Sequence, residues 1–476
     1  MDNILFTYSE LEKITSGKLT GPKPSGPGMQ FVSTDTRKDC LNSIFFALKG
    51  DNFDGHDYLE AAASKNTSAI CVSKDRLPKT KLPKDIPILI VDDTLKAYQS
   101  LAKFHRKRIG TKVIALTGSS GKTGTKEILK AILVHAYGAD KIYATEGNTN
   151  NHVGVPQNLL NLRKNHEYAI IEMGTNHPGE IEALSLLAEP DYGLIVSIGK
   201  AHIEFFGDTD GVAREKSAIF AKMSPAGTAI IPAEGPGVKI LDKSVKPFKA
   251  LRFGGESARS ADLQVKYLGG SMTGSSFELH WKNCGLRKTV NWHLPGRHQA
   301  MNAGAAVLAA NAMGASPEIA VEALNMGVQI PGMRMRIQER DGITWINDAY
   351  NANPDSMRAG IEWLSEATSK DPGRTSRIFV ILGDMLEMGE AGPRAHDEIL
   401  EFTTRLIPKS ILIVVGPLMG GAAKNIRSRP DISMRDFPDS DEAAKYVRMK
   451  IKRGDMIFLK GSRGMKLEKI ENAFQQ

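Results

Sequence analysis

The sequence predicts an α/β protein of three domains, each built on a largely parallel sheet. The chain of 476 residues exceeds what one hydrophobic core organises, since domains run to roughly 100 to 200 residues. Short apolar runs rich in β-branched residues alternate with helical stretches, as strands buried on both faces do when crossover helices connect them. The alternation breaks near Ile109 and Ile330, which divides the chain into spans 1–108, 109–330 and 331–476.

In the first span, SIFFAL from Ser43, AICVS from Ala69 and PILIVDD from Pro87 read as strands, and about Thr94 to Arg108 as a closing helix. The second span alternates again through VIALT at Val113, YAIIE at Tyr168, LIVSI at Leu194 and GTAIIP at Gly227. A Pro/Gly-bearing stretch follows around Pro232 to Pro247. From Asp262 to His293 polar and apolar residues alternate between Gly turns, which predicts antiparallel hairpins appended to the same domain. A helix from about His298 to Met313 closes it. The third span repeats the pattern in TWIND at Thr344, RIFVILGDM at Arg377, SILIVVG at Ser410 and MIFLKGS at Met456, a Rossmann-like α/β arrangement.

Hydrophobic residues at 41% and charged residues at 24% exclude a disordered or fibrous chain. No run approaches the roughly 18 apolar residues of a membrane helix, and the first residues carry early acids, so a cytoplasmic protein without membrane insertion is expected. Cys40, Cys71 and Cys284 are too scattered for a disulfide framework or a zinc cluster and read as small buried hydrophobes. Any metal should therefore bind oxygen. The net charge of +8 is dispersed, which argues against nucleic acid. Its densest cluster, Lys103, His105, Arg106, Lys107, Arg108 and Lys112, reads as a solvated helix end where cations suit the helix dipole.

VIALT runs into Gly118-Ser119-Ser120-Gly121-Lys122-Thr123-Gly124 and then a helical stretch, the order of a phosphate loop. Glycines let backbone N–H groups face phosphate, Lys122 neutralises terminal oxygens, and the Thr123 hydroxyl can ligate magnesium. Leu116 stands where the common pattern has its first glycine, so the loop is a shortened G-x-x-G-K-T variant. ATP is the expected ligand. Glu172 ends YAIIE at the sheet edge where this loop lies, the place for a magnesium ligand, and His202 follows LIVSI to the same edge.

TGSSGKT at Thr117, EGNTNNHVGVP at Glu146, IIEMGTNHPGEI at Ile170, AHIEFFGD at Ala201, REKSAIF at Arg214, PGRHQAMNAGAA at Pro295, NDAYNANPDSM at Asn347, GDMLEMGE at Gly383 and LKGSRGMKLE at Leu459 together resemble the Mur ligases. STDTR at Ser33 and FFALKGDNFDGHDY at Phe45 extend the resemblance to the first span, which it implies is a uridine-nucleotide domain. More narrowly, the motifs resemble the members that join D-Ala-D-Ala to UDP-N-acetylmuramoyl-tripeptide in peptidoglycan synthesis. The resemblance implies an ATP-dependent ligase: the peptide carboxylate takes the γ-phosphoryl group, and the dipeptide amine displaces phosphate through a tetrahedral intermediate.

It also implies residue roles. Lys122 and Thr123 hold phosphates and magnesium, Glu172 is a magnesium ligand, and His202 serves a second ion. Lys216 occupies a position that many members carbamylate, which would turn a cation repelled by magnesium into an oxygen ligand. Asn302 and His298 become base contacts, Asp348 and Tyr350 a ribose and adenine clamp, and Arg334 the arginine reaching the terminal phosphates, with Arg336 its rival. Ser33, Asp35, Arg37 and the run Phe53, Asp54, Gly55 and His56 are implied uridine and diphosphate contacts. Asn150, Asn151 and His152 face the sugar nucleotide. Asn351, Asn353, Asp384, Glu387 and Ser462 are implied on the third domain's substrate side. A monomer that closes about a hinge near Ile330 is expected. Ser197 departs from the family, which usually has Asn there.

The competing readings are a sister ligase, a folylpolyglutamate-synthetase-like enzyme, an idle ATP-binding scaffold and a nucleic-acid-binding P-loop protein. The absence of a DNPR run argues against the diaminopimelate-adding ligase, and the third-domain motifs argue against the folate enzyme. The joint presence of Lys122, Thr123, Glu172, His202 and Lys216 argues against an idle scaffold.

Overall fold

A computed structural model describes residues 4–22, 26–79, 83–369, 377–426 and 433–474. Among them the chain forms three sheets. The first holds β1 (Lys18–Thr20), β2 (Phe31–Ser33), β3 (Ser43–Phe46), β4 (Ala69–Ser73) and β5 (Ile88–Val91) in the order β1-β5-β4-β3-β2. All its pairings are parallel except β1 with β5. The second holds β6 (Lys112–Thr117), β7 (Ile142–Ala144), β8 (Tyr168–Glu172), β9 (Tyr192–Ile195), β10 (Thr228–Pro232), β11 (Lys249–Gly255), β12 (Leu263–Ser271), β13 (Gly274–Trp281) and β14 (Leu286–Trp292). Its order is β14-β13-β12-β11-β10-β9-β6-β8-β7. The third holds β15 (Arg336–Arg340), β16 (Ile343–Asn347), β17 (Ile378–Gly383), β18 (Ile411–Val415), β19 (Met434–Phe437) and β20 (Met456–Lys460), ordered β15-β16-β20-β17-β18-β19.

The predicted runs form these strands, and Asp262 to His293 does form antiparallel hairpins. The Pro/Gly-bearing stretch Pro232 to Pro247 is partly helical. It carries the helix Val238–Ser244 of a crossover into β11, which pairs parallel to β10. β12 then pairs parallel to β11 before turning antiparallel to β13, so the hairpins continue the central sheet. LIVSI also stops short: β9 ends at Ile195, because Ser197 O is taken by Ser119 N at 2.9 Å.

The helix Arg297–Ala312 is apolar almost all round, as a helix buried on every side should be. Its small residues allow close approach. A Cβ on Gly304 would stand 2.3 Å from the Val265 side chain.

In the basic cluster at the end of the helix Thr94–Ile109, Lys107, Arg108 and Lys112 are exposed, but His105 and Arg106 correct the solvated-end expectation. Arg106 is buried and donates to Ala188 O at 2.7 Å, Thr111 O at 3.0 Å, Glu189 O at 3.0 Å and Asp191 Oδ2 at 2.9 Å. His105, also buried, meets Leu162 O at 3.0 Å. These two side chains bind carbonyls of the central span, and the apolar core beneath the first sheet runs on through Leu101 to Val113 and Ala169. Cys40 and Cys71 are buried as expected, but Cys284, in the turn between β13 and β14, is exposed. No helix among the described residues is long and apolar enough to cross a membrane.

Candidate active site

β6 leads into Gly118, and the helix Lys122–Tyr137 starts just after Gly121, so the loop's N–H groups lie at a helix N-terminus. Gly121 takes φ +79°, and a Cβ there would stand 2.4 Å from Asn302 Oδ1, which leaves glycine as the residue that fits. The segment after β9 straps the loop. Ser120 N donates to Ser197 Oγ at 3.0 Å, Ser197 Oγ donates to Ser120 O at 3.0 Å, and Gly199 N donates to Ser119 Oγ at 2.9 Å. Ser197, the departure from the family, therefore keeps a polar link to the loop with a shorter side chain. Lys122 Nζ donates to Gly118 O at 2.8 Å. Burial holds its pKa below the ordinary lysine value, opposed by Glu172 and reinforced by Arg334.

Leu116 and Glu172 are register partners, so Glu172 leaves the sheet at the edge where the loop starts. It is 1% exposed. Thr123 Oγ1 donates to its Oε2 at 3.1 Å and Asn150 Nδ2 to its Oε1 at 2.9 Å. This hydroxyl, carboxylate and amide form a set of hard oxygen donors that fits magnesium, which usually keeps several waters beside one or two carboxylates. No cluster of three or more His, Cys, Asp or Glu suited to a metal occurs among the described residues.

Lys216, on the helix Thr209–Ser217, is 1% exposed. Burial, and after it the Lys122 charge, drives its pKa well below the lysine value. Its neighbour Glu215 is committed elsewhere, accepting from Gly179 N at 2.7 Å and Ile181 N at 2.9 Å at the start of the helix Glu180–Ala188, which anchors the lysine's helix. His202 Nδ1 lies 2.7 Å from Glu387 Oε2. His202, first through its hydrogen-bonding position and then its charge, holds the Glu387 carboxyl below the usual range against the opposing effect of burial.

The third sheet brings the opposing wall. Arg334 stacks on Tyr350, its guanidinium carbon 3.6 Å from the ring centroid, and is close enough to depress the Lys122 pKa. Arg336 is turned away and bound to Glu471, so of the two rivals Arg334 faces the phosphate loop. Asn353 Nδ2 donates to Ser119 O at 3.4 Å, and Asp355 Oδ2 accepts from Lys200 N at 2.8 Å. Asp355 stands in the same NANPDS run as Asn353, but nothing in the sequence marked it as a contact. Nor did anything mark Lys460, which pairs with Asp348.

Several expected contacts are spent inside the protein. Asp348 binds Lys460 through one oxygen and Met335 N through the other at 3.1 Å. Asn302 lies beneath the loop against Gly121 and Gly124, and His298, one turn earlier on the same helix, lines a cavity of about 690 Å³ with Tyr267 and Trp363. Burial lowers the His298 pKa to about 4. Asp384 is buried and caps the helix Pro417–Ile426 through Leu418 N at 3.2 Å and Met419 N at 2.8 Å. Ser462 is buried and accepts from Leu386 N at 2.9 Å. Both shape the loop that carries Glu387, and Glu387 alone of these three reaches the cleft. Asn351 accepts from Ala352 N at 2.9 Å. Asn151 receives Gly154 N at 2.9 Å, which leaves Asn150 as the residue of its loop bound to Glu172, while His152 is exposed.

In the first domain, Arg37 grips Asp35 with two bonds of 2.9 Å, and this pairing lowers the Asp35 pKa to about 2. Ser33 Oγ lies 3.4 Å from Cys40 Sγ. Phe53 is 73% exposed, but the rest of its run faces inward. A Cβ on Gly55 would stand 2.8 Å from Ala47 Cα, and buried His56 meets Asp54 Oδ1 at 2.6 Å and accepts from Ser73 N at 3.0 Å. Asp54 also pairs with Arg76. These internal bonds brace the loop that presents Phe53.

Residues 116–310 match the Mur ligase middle domain, and residues 333–463 match the Mur ligase, glutamate ligase domain. The chain is 33% identical over 471 residues to the UDP-N-acetylmuramoyl-tripeptide–D-alanyl-D-alanine ligase of Bacillus subtilis, covering 98% of this chain and 97% of that one. The fold is similar to the crystal structure of MurF from Acinetobacter baumannii, with a TM-score of 0.85, 29% identity and 99% coverage of both chains. It is also similar to MurF ligase from Thermotoga maritima in complex with ADP, with a TM-score of 0.78, 24% identity and coverage of 94% and 97%. A strapped phosphate loop on the middle domain, an arginine-bearing third domain laid against it, and a relative matched from end to end have one common explanation: the chain belongs to the Mur ligase family.

Proposed function

We propose that this protein is the ATP-dependent ligase that joins D-alanyl-D-alanine to UDP-N-acetylmuramoyl-tripeptide in peptidoglycan synthesis. The arrangement that carries the reading is Lys122, Thr123 and Glu172 on the central domain, faced across a cleft by Arg334. It suits a reaction that brings two anions together. The tripeptide carboxylate attacks the γ-phosphorus and the bond to ADP breaks; the dipeptide nitrogen then attacks the acyl carbon, loses its proton, and phosphate departs. Catalysis of this kind is chiefly positioning and charge neutralisation.

Lys122 and Arg334 hold phosphoryl oxygens from opposite sides. Thr123 and Glu172 would hold magnesium, which supplies further neutralisation of the phosphates when bound. Lys216 as an ammonium would repel a second ion. Its depressed pKa keeps amine available for carbon dioxide, and the carbamate formed, with loss of one proton, would sit with His202 as a ligand set. Asn353 and Asp355 keep the third domain against the loop, shielding a hydrolysable acyl phosphate from water.

Residues 1–108 take the uridine nucleotide, with Phe53 and the Asp35–Arg37 pair at its surface; residues 109–330 take ATP, and residues 331–476 bring the amine acceptor, with Glu387 beside His202 in the cleft. The protein works as a cytoplasmic monomer. Phosphate release from ATP with UDP-N-acetylmuramoyl-tripeptide tests the reading. Stimulation by D-Ala-D-Ala and not by single amino acids is expected, and the reverse pattern overturns the substrate assignment.

A further inference from the structure

Glu471 lies on the short helix Glu468–Asn472 near the end of the chain and is 1% exposed, yet none of the roles above uses it. Arg336 Nη2 donates to both of its oxygens at 2.8 Å, Asn347 Nδ2 donates to Oε2 at 2.5 Å, and Gln338 Nε2 also bonds Oε1. Arg336 and Asn347 are register partners at the end of β15 and β16 that leads to the cleft. One carboxylate therefore holds both strands where they run into the site loops.

Those loops clasp each other. Tyr350 N donates to Met333 O at 3.1 Å, and Met335 N donates to Asp348 Oδ1 at 3.1 Å. Met335 takes φ +54°, which ends the alternation of β15, so Arg334 does not follow Arg336 toward Glu471 and stacks on Tyr350 instead. We propose that Glu471 is a positioning residue for the ATP side of the site, binding Arg336 and Asn347 together so that Arg334 and Tyr350 stand over the phosphate loop. It rests on the reading of Arg334 as the phosphate arginine. A buried carboxylate with several charge-assisted bonds is costly to disturb, because each lost bond strands a polar partner. Without it, Arg336 becomes a loose second cation beside the one that faces phosphate.

Steady-state phosphate release by the full-length enzyme, with Glu471→Gln, Glu471→Asp and Arg334→Ala beside the parent, tests this. Glu471→Gln should raise the KM for ATP about tenfold while the KM for the sugar nucleotide stays within about twofold, and Glu471→Asp should recover part of the loss. A merely structural role would lower kcat with the folded fraction and leave both KM values in place; that result overturns the proposal. If Arg334→Ala raises the KM for ATP and Glu471→Gln does not, the positioning role fails alone. If neither raises it, the reading of Arg334 fails as well. Should Glu471→Gln not fold, Asn347→Ala removes one of the bonds, and the same split between the two KM values decides.

Discussion

His202 and Glu387 meet across the cleft between the central and third domains, Nδ1 2.7 Å from Oε2, and both hold a left-handed backbone, φ 55° and 63°. Two non-glycine residues in that region cost on the order of 1 kcal/mol each. Gly389, itself at φ +51°, lets the same loop press against Glu204, where a Cβ would meet side-chain atoms at 3.2 Å. Glu387→Gln should lower kcat/KM for ATP about tenfold and move Tm by under about 2 °C, since the side chain is partly exposed. Phosphate-release kinetics and a melting curve check it. The parent carboxyl's contribution is present above about pH 4.5, the unfolded value, and is lost as pH falls through its own lower value.

Lys216 offers a chemical test. Intact mass of the native protein in bicarbonate and magnesium should show the addition of carbon dioxide, and Lys216→Ala should be nearly inactive but partly restored by short carboxylic acids. Full activity in the alanine variant without them would remove any role for this lysine in the reaction.

Ser197 straps the phosphate loop by two hydrogen bonds to Ser120. Ser197→Ala should raise the KM for ATP about fivefold, the equivalent of about 1 kcal/mol for a lost bond of this kind, with the KM for D-Ala-D-Ala unchanged. Asparagine, which the family usually has here, should be tolerated better than alanine. Equal effects on both KM values would show that the strap acts on the whole fold instead.

Arg106 and His105 join the first domain to the second. Arg106→Met should destabilise the protein by about 3 kcal/mol in urea unfolding, because it strips four hydrogen bonds and leaves Asp191 without its buried partner. For His105, burial lowers the pKa to about 4, below the 6.5 of the unfolded chain. The unfolded state therefore binds the proton first, so this contribution is complete above pH 6.5 and is lost as pH falls toward 4. Melting curves across that window should fall more steeply for the parent than for His105→Gln.

The phosphate loop was legible because its chemistry is local: a buried strand, a glycine-bearing turn and a helix start follow one another in the chain. Glu172 was legible for a related reason, since the end of a parallel strand marks the edge where ligands gather. Asp384, Ser462, Asp54 and His56 read like ligand contacts, because a polar residue near a glycine looks the same whether it faces water or caps a buried backbone. The basic cluster around Arg106 misled in the opposite direction, as a solvated end. Those outcomes depend chiefly on two carbonyls and a carboxylate supplied from 82 to 85 residues away for Arg106 and on amides about 35 residues away for Asp384.

By itself, the sequence determined three α/β units, the strand, glycine turn and helix start of the phosphate loop and the family whose motifs it carries, since strand period, turn chemistry and helix starts are set by near neighbours. The tertiary structure alone decided which of Arg334 and Arg336 faces the phosphate loop. A left-handed Met335 turns one toward Tyr350, and Glu471, 135 residues along the chain, holds the other, so the choice came from packing partners that no local pattern could name.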